Sequence, residues 1–154
     1  MSRQIGIKEA KQRAGRFCAF RERSPKEVSD KLQKWGLSEP DSIEILNQLL
    51  KEGFVNPQRF ANAFCHDKFE FNSWGRSKIR MYIRVHQLDS EIIENALKVI
   101  DEDKYQNRLS DLAKRKWNSL DGIEKIKRKQ KTVAYLGSKG FEPDLIWSAV
   151  KKLT

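Results

Sequence analysis

Leu32-Gln33-Lys34-Trp35-Gly36-Leu37 returns as Ile83-Arg84-Val85-His86-Gln87-Leu88 and again as Leu136-Gly137-Ser138-Lys139-Gly140-Phe141. In each copy an apolar residue is followed four positions later by Gly or Gln, and then at once by a second apolar residue. A helix-like run precedes each copy and another follows: Ile43-Leu46-Leu49-Leu50, then Ile92-Ile93-Ala96-Leu97-Ile100, then Leu145-Ile146-Ala149-Val150-Leu153. Leu37 and Leu88 stand 51 residues apart, and Leu88 and Phe141 stand 53 apart. A period near fifty with no strand signals predicts a tandem array of small helical modules. The expected fold class is all-α: an elongated array of three three-helix modules, about nine helices, over residues 1–53, 54–103 and 104–154. Such arrays present an extended surface to a partner more readily than a catalytic pocket.

Start and stop signals support the helices. Ser24-Pro25-Lys26-Glu27 is a capping box with proline at the first helical position. The helix it opens turns Val28, Leu32 and Trp35 inward and stops at Gly36. Before it, Ala10, Ala14, Phe17 and Cys18 mark a helix over about 8–21; after it, Ser38-Glu39-Pro40-Asp41 opens a third, ended by Gly53. The second module repeats the scheme with Asn56-Pro57, a helix from about Gly75 to His86, and a start at Asp89-Ser90-Glu91. The third runs from about Lys104 to Trp117, from Asp121 to Lys139, and from Pro143 to Leu153. Its middle helix is expected to exceed that of the first module by about two turns.

The net charge of +10 is uneven. Residues 1–53 hold 11 basic against 8 acidic side chains, residues 54–104 hold 8 of each, and residues 105–154 hold 12 against 5. The last third thus makes most of the field, which points to a polyanion or an acidic protein surface. No apolar run approaches the roughly 20 residues that cross a bilayer. The opening Met1-Ser2-Arg3-Gln4-Ile5-Gly6-Ile7 lacks the apolar core of a signal peptide. Cys18 and Cys65 lie on apolar helical faces without a CxxC neighbour, and read as reduced core thiols of a cytoplasmic protein.

Catalytic constellations are missing from the sequence. His66 and His86 lack a second ligand at helical spacing, so no metal is expected, and no Gly-rich phosphate loop or GxSxG elbow occurs. Asp101-Glu102-Asp103 reads as the opening of a helix, where carboxylates offset the dipole. A non-enzyme without cofactor is the expectation. Basic stripes stand out instead. Arg76, Arg80 and Arg84 follow at i, i+4, i+8 with Lys78 beside them, and no acidic residue lies between Phe71 and Leu88. Lys125, Lys127, Arg128, Lys129 and Lys131 crowd seven positions of the third module, on the expected solvent side of Ile123, Ile126 and Val133. These nine are the candidate partner- or DNA-binding residues; an ordinary solvated face is the alternative. Like charges at i+4 cost an isolated helix a few tenths of a kcal/mol, which an anionic partner would offset. Phe69, Phe71 and Trp74, expected in the loop after the fourth helix, could stack on bases or staple that loop to the core.

The stretch Leu49-Leu50-Lys51-Glu52-Gly53-Phe54-Val55-Asn56-Pro57-Gln58-Arg59-Phe60-Ala61 resembles the signature of the RecX family of bacterial RecA regulators. Gly75-Arg76-Ser77-Lys78-Ile79 resembles that family's entry to the middle helix of its second module. Arg23-Ser24 followed by Glu27, Leu32 and Gly36 is similar to its pattern in the first. The resemblance covers roughly residues 8–153. Asn56-Pro57 replaces the usual acidic pair, Gln87 replaces a glycine, and the third module matches weakly. The resemblance implies a modular all-α protein that binds the RecA filament and restrains its ATP turnover, strand exchange and co-protease activity, with contact to single- or double-stranded DNA in some members; a cytoplasmic monomer is expected. It supplies no catalytic motif. Two other readings stay open from the residues: a basic helical array that binds nucleic acid without RecA, and a scaffold for an unrelated protein.

Overall fold

The computed structural model describes residues 5–154, so Met1 to Gln4, on which part of the leader reading rests, lie outside the described residues. Among the described residues there are nine α-helices, one 3-10 turn and no strand. The helices are α1 (Ile7–Phe20), α2 (Pro25–Lys34), α3 (Glu39–Lys51), α4 (Pro57–Asn72), α5 (Arg76–Ile83), α6 (Ser90–Lys98), α7 (Glu102–Ser119), α8 (Lys125–Ser138) and α9 (Pro143–Lys151). The 3-10 turn, Arg84–His86, follows α5 directly.

Side-chain caps set the starts. Ser24 Oγ accepts from the Glu27 amide at 3.1 Å, and the Ser24 amide donates back to Glu27 Oε1 at 3.1 Å, completing the expected capping box. Ser38, Asn56 and Asp101 each accept from the amide three residues on, at 3.3, 2.9 and 2.9 Å. Each such cap stabilises its helix by about 1 kcal/mol. The three copies of the repeated phrase share their stop. Gly36 and Gly140 both hold φ +92°, and Gln87 holds +53° in the corresponding place. Behind them the amides of Leu37 and Phe141 reach back to the carbonyls of Leu32 and Leu136 at 3.2 and 3.3 Å, which consumes carbonyls the helix end would leave bare.

Several boundaries differ from the sequence reading. The helix expected to run from Gly75 to His86 is α5 followed by the 3-10 turn, so it tightens from 3.6 to about 3 residues per turn after Ile83. The middle helix of the third module begins at Lys125 and not at Asp121, because Gly122 takes φ +86°. At 14 residues against 10 for α2, it is longer by about one turn rather than two. Phe69 and Phe71 belong to α4 and not to the loop after it. Phe69 is buried, while Phe71 is 79% exposed, and only Trp74 lies in the connection. Ile126, expected to face inward, is 63% exposed; Thr132 and Leu136 are the buried residues of α8.

The chain gathers into two compact units. One holds residues up to Ala63 together with Arg84–Asn95, and the other holds Phe64–Ile83 with Ala96–Thr154. Two of the divisions fall inside α4 and α6. In the first unit α1, α2 and α3 pack on one another around Ala10, Ala14, Cys18, Val28, Leu32, Ile45 and Leu49, with Phe17 and Trp35 partly buried beside them. In the second, α7, α8 and α9 pack together, and Tyr105, Leu109, Leu136, Ile79, Ile83 and Val150 are almost wholly buried. Cys18 and Cys65 are buried and form no disulfide, one in each unit; burial pushes the Cys18 thiol above its usual range.

Glycine is required where α5 starts. The Gly75 amide donates to Lys139 O at 2.7 Å and the Ser77 amide to Gly140 O at 3.0 Å, so two backbones touch. A Cβ on Gly75 would lie 2.3 Å from Gly140 O, a distance no side chain tolerates.

Candidate partner-binding surface

The nine basic residues singled out from the sequence do not act as one set. Arg76 faces inward. Its side chain is 16% exposed, its Nη1 donates to Glu142 Oε2 at 2.7 Å, its Nη2 donates to Glu102 Oε2, and its guanidinium lies 3.8 Å from the Tyr105 ring centre. The Tyr105 hydroxyl donates to Glu142 Oε1 and accepts from the Arg76 amide at 3.0 Å. Burial works against the Arg76 charge, but Glu142, helped by Glu102, outweighs it and holds the guanidinium above its ordinary range. Burial, with Glu142 beside it, pushes the Tyr105 phenol up. Gln106, and then Arg76, hold the Glu102 carboxyl below the usual carboxylate range. The expectation that Arg76 is exposed and unneutralised is therefore corrected. Its counter-charges come from residues 26 and 66 positions away, at the start of α7 and before α9.

Lys78 belongs to a different group. Its Nζ lies 4.7 Å from the Trp74 ring centre and 5.9 Å from that of Tyr82. Lys68 Nζ approaches the same tryptophan at 5.1 Å, and the Trp74 and Tyr82 rings sit 4.7 Å apart at a 49° tilt. Lys139 donates to Asn72 O at 2.9 Å, and its ammonium is held below its ordinary range by burial and then by Lys78. Among the described residues none of these three lysines pairs with a carboxylate. Lys68 and Lys78 thus share one partly exposed aromatic pair, Lys139 lies close enough to Lys78 to feel its charge, and none of the three is neutralised by a carboxylate. Cation–π attraction of roughly 0.5–2 kcal/mol per contact holds Lys68 and Lys78 there. Such a surface suits an anion with a flat or apolar part. The sequence singles out Lys78 and Trp74 but not Lys68 or Lys139, and its spacing puts Tyr82 on the core-facing flank with Ile79 and Ile83, whereas Tyr82 is 50% exposed. Lys139 lies inside the third copy of the repeated phrase, and only the Gly75–Gly140 backbone contact brings it here.

Arg80 is half-buried and engaged within the molecule, whereas Arg84 is exposed at the head of the 3-10 turn. Spacing at i, i+4, i+8 gives one line only on an unbroken α-helix, and the turn moves Arg84 off it.

On α8, Lys125, Lys127 and Lys131 are exposed and Lys129 is half-buried. Arg128 departs from the expectation of a solvent-facing residue: its Nε donates to Trp117 O at 2.9 Å and its guanidinium stacks 4.1 Å from the Trp117 ring centre. The first turn of α8 holds Lys125, Lys127 and Arg128 with no acidic residue, against the preference of a helix start for negative charge. That end of α8 is a concentrated positive pole. No helix of the described residues is long and apolar enough to cross a membrane. Asp101 to Asp103 open α7, with Asp101 as its cap, as expected.

Comparison with known proteins matches three family models in order: RecX, first three-helix domain, at residues 10–49; RecX, second three-helix domain, at 58–97; and RecX, third three-helix domain, at 102–150. The third part of the chain, whose resemblance to the family is the weakest by motif, is thus matched as well. The chain is 32% identical to Regulatory protein RecX of Clostridium perfringens strain 13, over 86% of this chain and 62% of that protein. It is 29% identical to Regulatory protein RecX of Oceanobacillus iheyensis, over 89% of this chain and 50% of that protein. The chain therefore spans between half and two thirds of these relatives' length. The crystal structure of RecX from Lactobacillus salivarius shares the fold, with a TM-score of 0.89 at 23% identity over 96% of each chain. With all three domain models following one another from residue 10 to residue 150, this chain belongs to the RecX family.

Proposed function

We propose that this chain binds the filament of the RecA recombinase and restrains its ATP turnover, strand exchange and co-protease activity, as a cytoplasmic, monomeric regulator without a reaction of its own. The ordered run of three RecX domains is the observation that carries this reading. Of three modules, at 1–53, 54–103 and 104–154, the second and third would offer these cations to acidic filament surface or to DNA phosphate. Lys78, Arg84, Lys125, Lys127, Lys129 and Lys131 are the proposed contacts, together with the half-buried Arg80. Arg76 and Arg128 hold the helices that present them. The test is the ssDNA-dependent ATPase of the cognate RecA, titrated with this protein. Suppression well below one copy per RecA supports capping or blocking of filament growth. Suppression only near equal amounts supports occupancy along the filament, and no effect at saturation overturns the reading.

The aromatic-basic group of Lys68, Trp74, Lys78, Tyr82 and Lys139 favours a second reading, nucleic-acid binding without RecA. Its signature is a fall of affinity for bare single-stranded DNA with salt, at about 0.7 of a log unit per log unit of salt for each phosphate neutralised. A flat salt profile removes it.

A further inference from the structure

Gly15 sits in the middle of α1, and a Cβ built on it meets nothing within 4 Å. An interior glycine weakens a helix relative to alanine, and here neither packing nor a positive φ requires it. The residue lies on the floor of a trough of about 520 Å³ beside α1, within the size range of recognition clefts. Gln12, Gly15 and Ala19 follow one line of α1 at i, i+3 and i+7, and Leu49 and Phe54 supply the apolar side. Phe54 is 47% exposed although it directly follows the Gly53 turn, so its ring is left for something else to cover. The rim is cationic. Lys8 and Arg16 are exposed and form no ion pair among the described residues, while Lys11 is held by Glu52 at 2.8 Å.

Small residues at helical spacing let a second helix approach closely, and apolar walls accept its i, i+3, i+4, i+7 side chains. The unpaired cations at the rim call for carboxylates on that helix's flanks. A nucleic-acid strand fits less well, because the floor offers glycine, alanine and leucine in place of a stacking pair. We infer that the α1 trough docks an acidic amphipathic helical segment of a protein partner. This rests on the reading of the RecA filament as that partner, and adds a contact on α1, where none of the nine sequence candidates lies.

The experiment measures binding of the full chain to cognate RecA filaments on single-stranded DNA, together with thermal melting of each variant. Gly15→Trp fills the trough and is expected to weaken binding about tenfold or more while the helical signal is kept. Gly15→Ala is expected to melt higher than the unaltered chain and to lose less affinity than Gly15→Trp. Lys8→Glu with Arg16→Glu, at exposed positions, is expected to weaken binding as well, and decides the matter if Gly15→Trp does not fold. Unchanged affinity in Gly15→Trp, or in the double reversal, while the unaltered chain binds overturns the trough and leaves the RecA reading standing. Failure of the unaltered chain to bind removes the RecA reading and the inference with it. Weakened binding of Gly15→Trp to bare single-stranded DNA, in the same proportion, would show that the trough takes nucleic acid, which also overturns the inference.

Discussion

Gln87 holds a backbone shape that its two counterparts leave to glycine, at φ +53° against +92° for Gly36 and Gly140. A side chain with a Cβ pays about 1 kcal/mol or more in that region. Gln87→Gly is therefore expected to stabilise the protein by about 1 kcal/mol, read as a higher urea midpoint at unchanged slope. One residue earlier, His86 sets a pH response. Its Nδ1 lies 2.9 Å from Ser24 Oγ and its ring packs 4.6 Å from Phe60. Burial holds the imidazole below its ordinary value of 6.5; Glu27 pulls the other way, and Arg21 and Lys26 add to the depression. Because the unfolded chain takes up this proton more readily, the contribution is fully present above about pH 6.5. It declines as pH falls toward the folded-state value and is flat below it. Denaturant midpoints at pH 7.5 and pH 5 are expected to differ by less in His86→Gln than in the unaltered chain; an equal difference would place the response elsewhere.

At the scale of the element, Arg76 decides how α5 is fixed. It joins the first turn of α5 to Glu102 in α7 and to Glu142 ahead of α9, over the face of Tyr105. Arg76→Glu places a third carboxylate against two that have lost their partner, and is expected to lower stability by about 3 kcal/mol. A variant that melts like the unaltered chain would show the network to be dispensable. Local signals in the sequence were enough for the helices themselves: Ser24 and Glu27 write a capping box, and Gly36 and Gly140 write the stops. Spacing alone misread the faces. An i, i+4 series says which side chains share a flank, but the flank of Arg76 is buried by carboxylates from distant sequence, and that of Arg84 is displaced by a 3-10 turn. Ile126 has the apolar character of a core residue, yet α8 buries Thr132 and Leu136, the former with its hydroxyl donating to Arg128 O at 2.8 Å. Lys139 reaches Asn72 and the neighbourhood of Lys78 only through a backbone contact between two glycines, for which no local pattern exists.

Across the whole molecule the charge of +10 is shared between cations already spent on the fold and cations left to solvent. Arg76, Arg108 and Arg128 belong to the first kind: Arg108 donates to Phe69 O at 2.9 Å and to Ser73 Oγ at 3.0 Å, and all three stack on aromatic rings. Lys125, Lys127 and Lys131 belong to the second, on a helix whose first turn holds no acidic residue and whose start carries a single carboxylate, that of the N-cap Glu124. Removing charge from the first kind damages the fold, and removing it from the second should leave the fold intact or improve α8. The triple variant Lys125→Glu, Lys127→Glu, Lys131→Glu satisfies the helix dipole by a few tenths of a kcal/mol per site at the first turn. It is therefore expected to melt no lower than the unaltered chain. If these lysines meet acidic filament surface or phosphate, the same variant suppresses RecA ATPase only at higher protein concentration, and its suppression falls less steeply with added salt. Measuring the half-suppressing concentration at two salt levels separates the cases. An unchanged concentration and salt slope would assign this pole of α8 to solvation alone, and would leave the surface around Lys78 and Trp74 as the contact to pursue.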